Sequence, residues 1–337
     1  MTGLTNVPGG EATRARGRSA HAVRRPAEVD MLVIGAGATG LYQLYRARTE
    51  GFSALLLEAG LGVGGIWYWN NSFEACFEAD SSMRGHLFSA ELGAERERPP
   101  EGAGQPGIER YLNHLVDRHD LRRDIRLGAR VRSAVYDDST GTWSVLASGG
   151  EAYRARYVVA ATGALLVPLS EATDAGRRAG GALGAGSGAY GDLGVCGGGI
   201  LAVGDRALGG GALTRLGVRG RDGLRLSGYW AAGPRTYLGV MTAGFPNFFF
   251  PGGPHGLPDN PRHPGDQVDL VTGALLHARD TGREVVEVGL AAEEEWTDLV
   301  RGTLVSSLLN GGRSRDSVMT ADDAFGAFIF SEAGRAA

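Results

Sequence analysis

Three glycines, Gly35, Gly37 and Gly40, follow directly on an apolar run from Val29 to Ile34, and Glu58 stands 18 residues beyond Gly40. A G-x-G-x-x-G spacing behind a strand is chemistry for a dinucleotide pyrophosphate. Gly35 allows a tight turn, Gly37 lets backbone approach the phosphates, and Gly40 lets the following helix pack close on the sheet. The N-terminus of that helix faces the phosphate charge. A second apolar run, Ala54 to Leu57, ends at Glu58, where a carboxylate can take a ribose hydroxyl. The competing reading is a glycine-rich loop that binds nothing, and it needs strand, glycines and acid to coincide by accident.

The next segment narrows the nucleotide. Gly60 to Asn70 is glycine-rich and then abruptly aromatic, with Gly65 and Ile66 leading into Trp67, Tyr68 and Trp69. An NAD unit does not need such a segment after its second strand. FAD does, because its isoalloxazine ring lies beyond the pyrophosphate and needs close backbone and flat side chains to shield it. Taken alone, the three aromatics are a fair core cluster.

Gly35-Ala-Gly-Ala-Thr-Gly40, Glu58 and Gly64-Gly-Ile-Trp-Tyr-Trp-Asn70 together resemble the FAD-binding start of the Baeyer–Villiger monooxygenases, a branch of the flavin-containing monooxygenases. Arg110 to Arg122 is similar to the family's helix before an inserted sheet, and Tyr157 to Gly163 to its first ATG turn. Gly233-Pro-Arg-Thr-Tyr-Leu-Gly-Val-Met-Thr-Ala-Gly-Phe-Pro-Asn-Phe248 matches best of all. The resemblance implies an α/β, Rossmann-type FAD-binding domain of three layers, a parallel sheet with a small inserted antiparallel sheet. It implies oxygenation of a ketone or heteroatom compound through a flavin C4a-peroxide, with NADPH as donor. It also implies that Thr162 and Gly163 approach the flavin nucleotide and that Val131 offers backbone to the adenine. Asp205 becomes a flavin contact, although Gly199 to Asp205 is also similar to the ribityl-binding motif of disulfide-reductase-like flavoproteins.

Two departures from that family stand out. The NADPH-binding domain of full-length relatives lies between two ATG-type strands, and here residues 169–199, mostly Gly and Ala, fill the interval. A Rossmann-type domain needs about 100 residues, so the NADPH domain reads as truncated to a linker, and the family's fingerprint motif is missing with it. Val195 to Ile200 reads as flexible glycine linker in preference to a second dinucleotide turn. After Asn70, Glu78 stands where relatives carry a flavin-side aspartate, and Asp80 where they carry a glutamate. The arginines that give those acids a catalytic meaning are absent, which leaves Glu78 and Asp80 as catalytic candidates or as two solvated acids. Without a nicotinamide domain the hydride comes from elsewhere: a partner reductase, free reduced flavin or a bimolecular encounter. An FAD-binding module without oxygenation activity is the alternative function, and an incomplete chain that never folds stably is the third.

Composition sets the outer limits. With 337 residues, 43% of them hydrophobic, the chain can bury a core for two domains or one large one. A net charge of −4 gives no reason to expect nucleic acid or an anionic membrane as partner. Residues 1–28 read as a disordered basic leader, without the apolar centre of a secretory signal. No run of about 18 apolar residues spans a membrane. Cys76 and Cys196 have no metal or redox spacing, and a cytoplasmic, reduced protein follows.

The elements that must position these groups read as follows. Residues 29–168 form the first part of the FAD domain, 200–310 its second part, and 311–337 a tail. Periodicity predicts a helix from Ile108 to His119, strands at Ile125–Leu127, Val131–Tyr136, Thr142–Ala147 and Arg156–Ala161, and helices at Asp269–Arg279 and Glu293–Leu309. Trp296, Leu299 and Leu304 are packing candidates. The Glu293-Glu-Glu295 run reads as a solvated helix start, and His255, in a Pro/Gly turn, as a surface residue.

Overall fold

A computed structural model of the chain describes residues 26–65, 68, 105–162, 166–168, 194–196, 199–201, 211–255, 263–310 and 327–333. Ile66, Trp67, Trp69, Glu78, Asp80, Gly163 and Asp205 lie outside the described residues.

The chain opens with β1 (Ala27–Ile34), α1 (Ala38–Thr49) and β2 (Ala54–Leu57). Next come α2 (Gln105–Arg118), β3 (Ile125–Arg126), β4 (Val131–Asp137), β5 (Thr142–Ala147) and β6 (Ala152–Ala160). Short strands β7 (Leu166–Pro168), β8 (Gly194–Cys196), β9 (Gly199–Leu201), β10 (Val218–Arg219) and β11 (Phe248–Phe249) follow. The described C-terminal part holds α3 (His263–Asp280), β12 (Val285–Val288), α4 (Leu290–Asn310) and β13 (Phe328–Ser331).

β3, β2, β1, β6 and β11 pair in parallel, in that order. β4, β5 and the first half of β6 form an antiparallel meander. β6 therefore serves two sheets. Its residues 152–155 face β5, and Val158 and Val159 face β11 on the same edge, while its other edge lies along β1 throughout. This sharing explains why β6 starts at Ala152, earlier than the apolar run from Arg156 suggests.

The layers follow from side-chain alternation. Met31 and Val33 point to one face of the parallel sheet and pack with Leu41 and Leu44 of α1, Leu112 and Val116 of α2, and Val271 and Leu275 of α3. Leu32 and Ile34 point the other way, against Trp143, Val145 and Ala134 of the meander. A strand buried on both faces must be apolar at every position, which is why Met31 to Ile34 reads as a continuous run. The fold is α/β, with a mostly parallel mixed sheet between helices and an antiparallel layer.

The Phe245-Pro-Asn247 motif locks these layers together. Trp143 Nε1 donates to the Pro246 carbonyl at 2.9 Å. Asn247, fully buried, exchanges bonds with Val286 of β12 through its backbone N–H (2.8 Å) and its Oδ1 (2.7 Å). Its carbonyl accepts from Val158 of β6, so one left-handed residue (φ 58°) splices β12 onto β6. Asparagine tolerates that conformation better than most residues.

Two expectations change. Where the sequence suggests a flexible linker, Gly194–Cys196 and Gly199–Leu201 are short strands. β8 and β9 pair across Cys196 and Gly199, and β9 also pairs with β7. Leu299 is 54% exposed, because Glu293, Trp296 and Val300 take the inward stripe of α4. The side chain of Leu304 falls outside the described ones. Among the described residues no helix is long and apolar enough to cross a membrane.

Candidate functional site: a dinucleotide seat

The seat lies where β1 and β2 end side by side. Gly35 turns the chain with φ 106°. A Cβ there would stand 2.5 Å from the Ala161 carbonyl, so only glycine lets the turn tuck under the end of β6. Gly40 has the same necessity, since a Cβ would meet the Gly35 carbonyl at 1.9 Å.

Gly37 differs. It has ordinary extended backbone (φ −77°, ψ 177°) and caps α1 without a side-chain bond. A Cβ there would meet only the Gly65 Cα, at a comfortable 3.6 Å. Nothing in the packing of the described residues demands a glycine at this position. Gly65 is the constrained member of the pair, with φ 57° and a Cβ position 2.6 Å from the Gly37 Cα. Backbone thus faces backbone across the mouth of the turn, with no side chain of Gly37 or Gly65 in between.

Glu58 closes the seat from the β2 side. It is 4% exposed, and its two oxygens are held apart by two backbone donors. The Ala36 N–H donates to Oε2 and the Gly60 N–H to Oε1, each at 2.7 Å. Each oxygen keeps a lone pair for a further donor. The carboxylate therefore touches the glycine turn itself, and its geometry is fixed before any ligand arrives. α1 has no acid in its first turn, so its opening amides at Ala38, Thr39 and Gly40 offer positive potential to an anion.

Two further candidates lie on the rim. The Thr162 Oγ1 is buried and has no hydrogen-bond partner among the described residues. A buried hydroxyl without a partner costs about 1–3 kcal/mol, which a ligand bond would recover. Val131 is buried at the start of β4, two residues after Ala129, whose N–H donates to the Glu58 carbonyl at 2.8 Å. The structure thus gathers Gly35, Gly37, Ala38, Gly40, Glu58 and Gly65 about one turn, with Thr162 beside it through the Gly35–Ala161 contact.

Sequence reasoning missed how the loop after β2 is held. The Gly60 carbonyl accepts from Gly128, the Gly64 N–H donates to Ala36, and Val63 is buried. Tyr68 folds back over this loop. Its ring lies against Gly62, and its hydroxyl accepts from the Leu61 N–H at 3.2 Å.

No protein-family model matches the chain. An acetone monooxygenase (methyl acetate-forming) of Gordonia sp. strain TY-5 is 34% identical over 143 residues, which is 42% of this chain and 27% of the relative. A phenazine N-monooxygenase of Lysobacter antibioticus is 36% identical over 137 residues, covering 40% of this chain and 25% of the relative. Among solved structures, an oxidized steroid monooxygenase bound to NADP superposes with a TM-score of 0.70 at 23% identity. That alignment spans 91% of this chain and 100% of the other. The likeness is to Baeyer–Villiger and other flavin monooxygenases. In sequence the chain spans about a quarter of the length of the curated relatives it matches.

The Baeyer–Villiger-like segment Gly233 to Phe248 hides two groups that the sequence placed in solvent. Glu293 is fully buried, not a solvated helix start. Its Oε1 accepts from Thr242 Oγ1 (2.6 Å) and the Ala243 N–H (2.8 Å), and its Oε2 from the Tyr229 hydroxyl (2.6 Å) and Arg235 Nε (3.1 Å). Glu294 and Glu295 are exposed as expected, Glu294 as a partner of Arg235. The Tyr229 hydroxyl, part-buried and donating to a carboxylate, is held well above its ordinary range.

His255 is 6% exposed and bonded through Nδ1 to Thr236 Oγ1 at 3.2 Å. Burial, with the nearby Arg301 charge, pushes its pKa down from 6.5 to about 4. The unfolded chain takes up a proton here at a higher pH than the folded one, so stability rises with pH between these two values. The contribution is complete above pH 6.5 and lost as pH falls toward 4. Unfolding by urea at pH 5 is expected to show about 2 kcal/mol less stability than at pH 7.5 from this residue. His255→Asn, which suits the left-handed backbone here (φ 62°), should flatten that dependence. An unchanged pH slope in the variant would rule His255 out as its source.

Proposed function

We propose that the chain is the FAD-binding part of a Baeyer–Villiger-type flavin monooxygenase, acting on a ketone or heteroatom compound with NADPH as hydride donor. One observation carries this reading: Gly37 is a glycine that packing among the described residues does not require, beside a buried carboxylate and the first amides of α1. A dinucleotide pyrophosphate supplies the missing reason, because a Cβ at Gly37 would occupy its space. The amides of Ala38, Thr39 and Gly40 hold phosphate oxygens, and Glu58 accepts ribose hydroxyls with its free lone pairs. Thr162 Oγ1 gains a ligand partner, and the backbone at Val131 borders the adenine. Ile66, Trp67, Trp69, Gly163 and Asp205 complete the flavin side of the site, with Glu78 and Asp80 as its carboxylates. Bound FAD supplies the redox and oxygen chemistry, and the chain supplies orientation and a dry seat.

Residues 169–199 replace the nicotinamide-binding domain in this reading, which leaves open who delivers the hydride. A partner reductase stands beside NADPH as a donor, and the cysteine usage suits a cytoplasmic setting. An anaerobic NADPH titration of FAD-loaded protein, followed in the visible spectrum, tests the assignment. Yellow protein that bleaches supports it. Yellow protein that does not bleach favours an FAD-binding module served by another donor, and a colourless protein refutes both.

Gly37→Ala separates the seat from the fold. The variant is expected to unfold within about 0.5 kcal/mol of wild type, since the new Cβ meets only ordinary contact. Its FAD affinity should fall by at least about tenfold, or 1.4 kcal/mol. Equal affinity in a fluorescence titration would show that no ligand passes over Gly37.

A further inference from the structure

We infer that Tyr68 is a positioning residue for the ADP half of the dinucleotide, a strut that sets the loop after β2, and not a face that shields the flavin ring. This deepens the FAD reading above and rests on it. The loop from Gly60 to Gly65 forms one wall of the seat, and it has to present Gly65 under Gly37 while Gly60 holds Glu58. Its amides are tied down one by one: Gly60 N–H to Glu58, Gly64 N–H to the Ala36 carbonyl. Leu61 is the exposed crest of this loop, 78% accessible, and no backbone acceptor holds its N–H among the described residues. Tyr68 supplies that acceptor through its hydroxyl at 3.2 Å.

Getting there requires the ring to cross the loop. A Cβ on Gly62 would stand 2.6 Å from Tyr68 Cε2, so the ring fits flat only because position 62 is glycine. A Cβ on Gly64 would likewise meet Tyr68 Cβ and its N–H nitrogen at 3.2 Å. The Tyr68 N–H closes the circle by donating to the Gly65 carbonyl at 3.0 Å. Gly62 and Gly64 thus make room for the tyrosine, while Gly65 answers to Gly37 across the turn. The tyrosine in turn fixes Gly65 against the mouth of the dinucleotide turn.

The test compares two ligands on the full chain, FAD and ADP, by isothermal titration, with the visible spectrum of bound FAD as a second readout. Tyr68→Phe keeps the ring and removes the hydroxyl that accepts from the Leu61 N–H. It should weaken FAD and ADP alike by about five- to tenfold, the worth of one hydrogen bond, and leave the flavin spectrum unmoved. Gly62→Ala, which displaces the ring without touching the hydroxyl, should reproduce the same paired loss. The paired loss on both ligands is what general destabilisation does not produce, provided both variants titrate well below their melting points. A loss confined to FAD with a shifted flavin spectrum would overturn the inference and place Tyr68 on the isoalloxazine, and unchanged affinities would overturn it as well. Wild-type protein that binds neither ligand would instead sink the FAD reading itself.

Discussion

Glu293→Ala is expected to cost the fold about 3–5 kcal/mol, a large fraction of the stability of an ordinary domain. The carboxylate is fully buried and accepts four hydrogen bonds, from Tyr229, Arg235, Thr242 and Ala243. Removing it leaves the Ala243 N–H and the Thr242 hydroxyl buried without an acceptor, each worth about 1–3 kcal/mol. Arg235 loses less, because it is part-exposed and keeps Glu294. Glu294→Ala should change stability by no more than about 0.5 kcal/mol, as exposed pairs do. Urea denaturation of the two variants checks the contrast. Similar midpoints for both would mean that Glu293 does not hold the Gly233–Phe248 segment to α4.

Glu58→Gln is expected to weaken FAD binding by about a hundredfold, or 2.7 kcal/mol, and to destabilise the unliganded protein as well. The carboxylate is an acceptor at both oxygens, and both face N–H donors at 2.7 Å. A glutamine offers one oxygen and one NH2 group, so donor must confront donor at either Ala36 or Gly60. That conflict costs about 1–3 kcal/mol in a buried site. The two losses are separable: chemical denaturation without ligand reads the first, and titration of the folded variant reads the second. A variant as stable as wild type would show that the Ala36 and Gly60 bonds carry no weight.

The seat was legible because its demands are local. Gly35 and Gly40 are dictated by backbone contacts within one strand–turn–helix unit, and Glu58 by the strand beside it. The sheet was legible for the same reason, since alternation along Val131–Asp137 and Thr142–Ala147 reflects one buried face. Groups fixed by distant contacts could not be read. Glu293 looks solvated in a run of three acids, and only tertiary placement beside Thr242, 51 positions away, makes it an acceptor. His255 looks like a turn residue until Thr236 meets it. β6 was cut short because Ala152 to Ala155 pair with a meander whose polar outer face breaks the apolar run. Tyr68 carries a readable signal: glycines at 62 and 64 are what a side chain folded back on its own loop requires.

β6 belongs to both layers, and this has a consequence for how the molecule comes apart. Most strands separate two neighbours along their whole length, so peeling one neighbour leaves the rest standing. Here the first half of β6 anchors β5 and its second half anchors β11, with β1 along its back. Asn247 fastens β12 to the same place. Local opening at either end therefore frees backbone donors and acceptors in the other layer too, and partial unfolding gains little over complete unfolding. The amides of Tyr157 to Ala160 should be the last to trade their hydrogens for deuterium, and all should do so together.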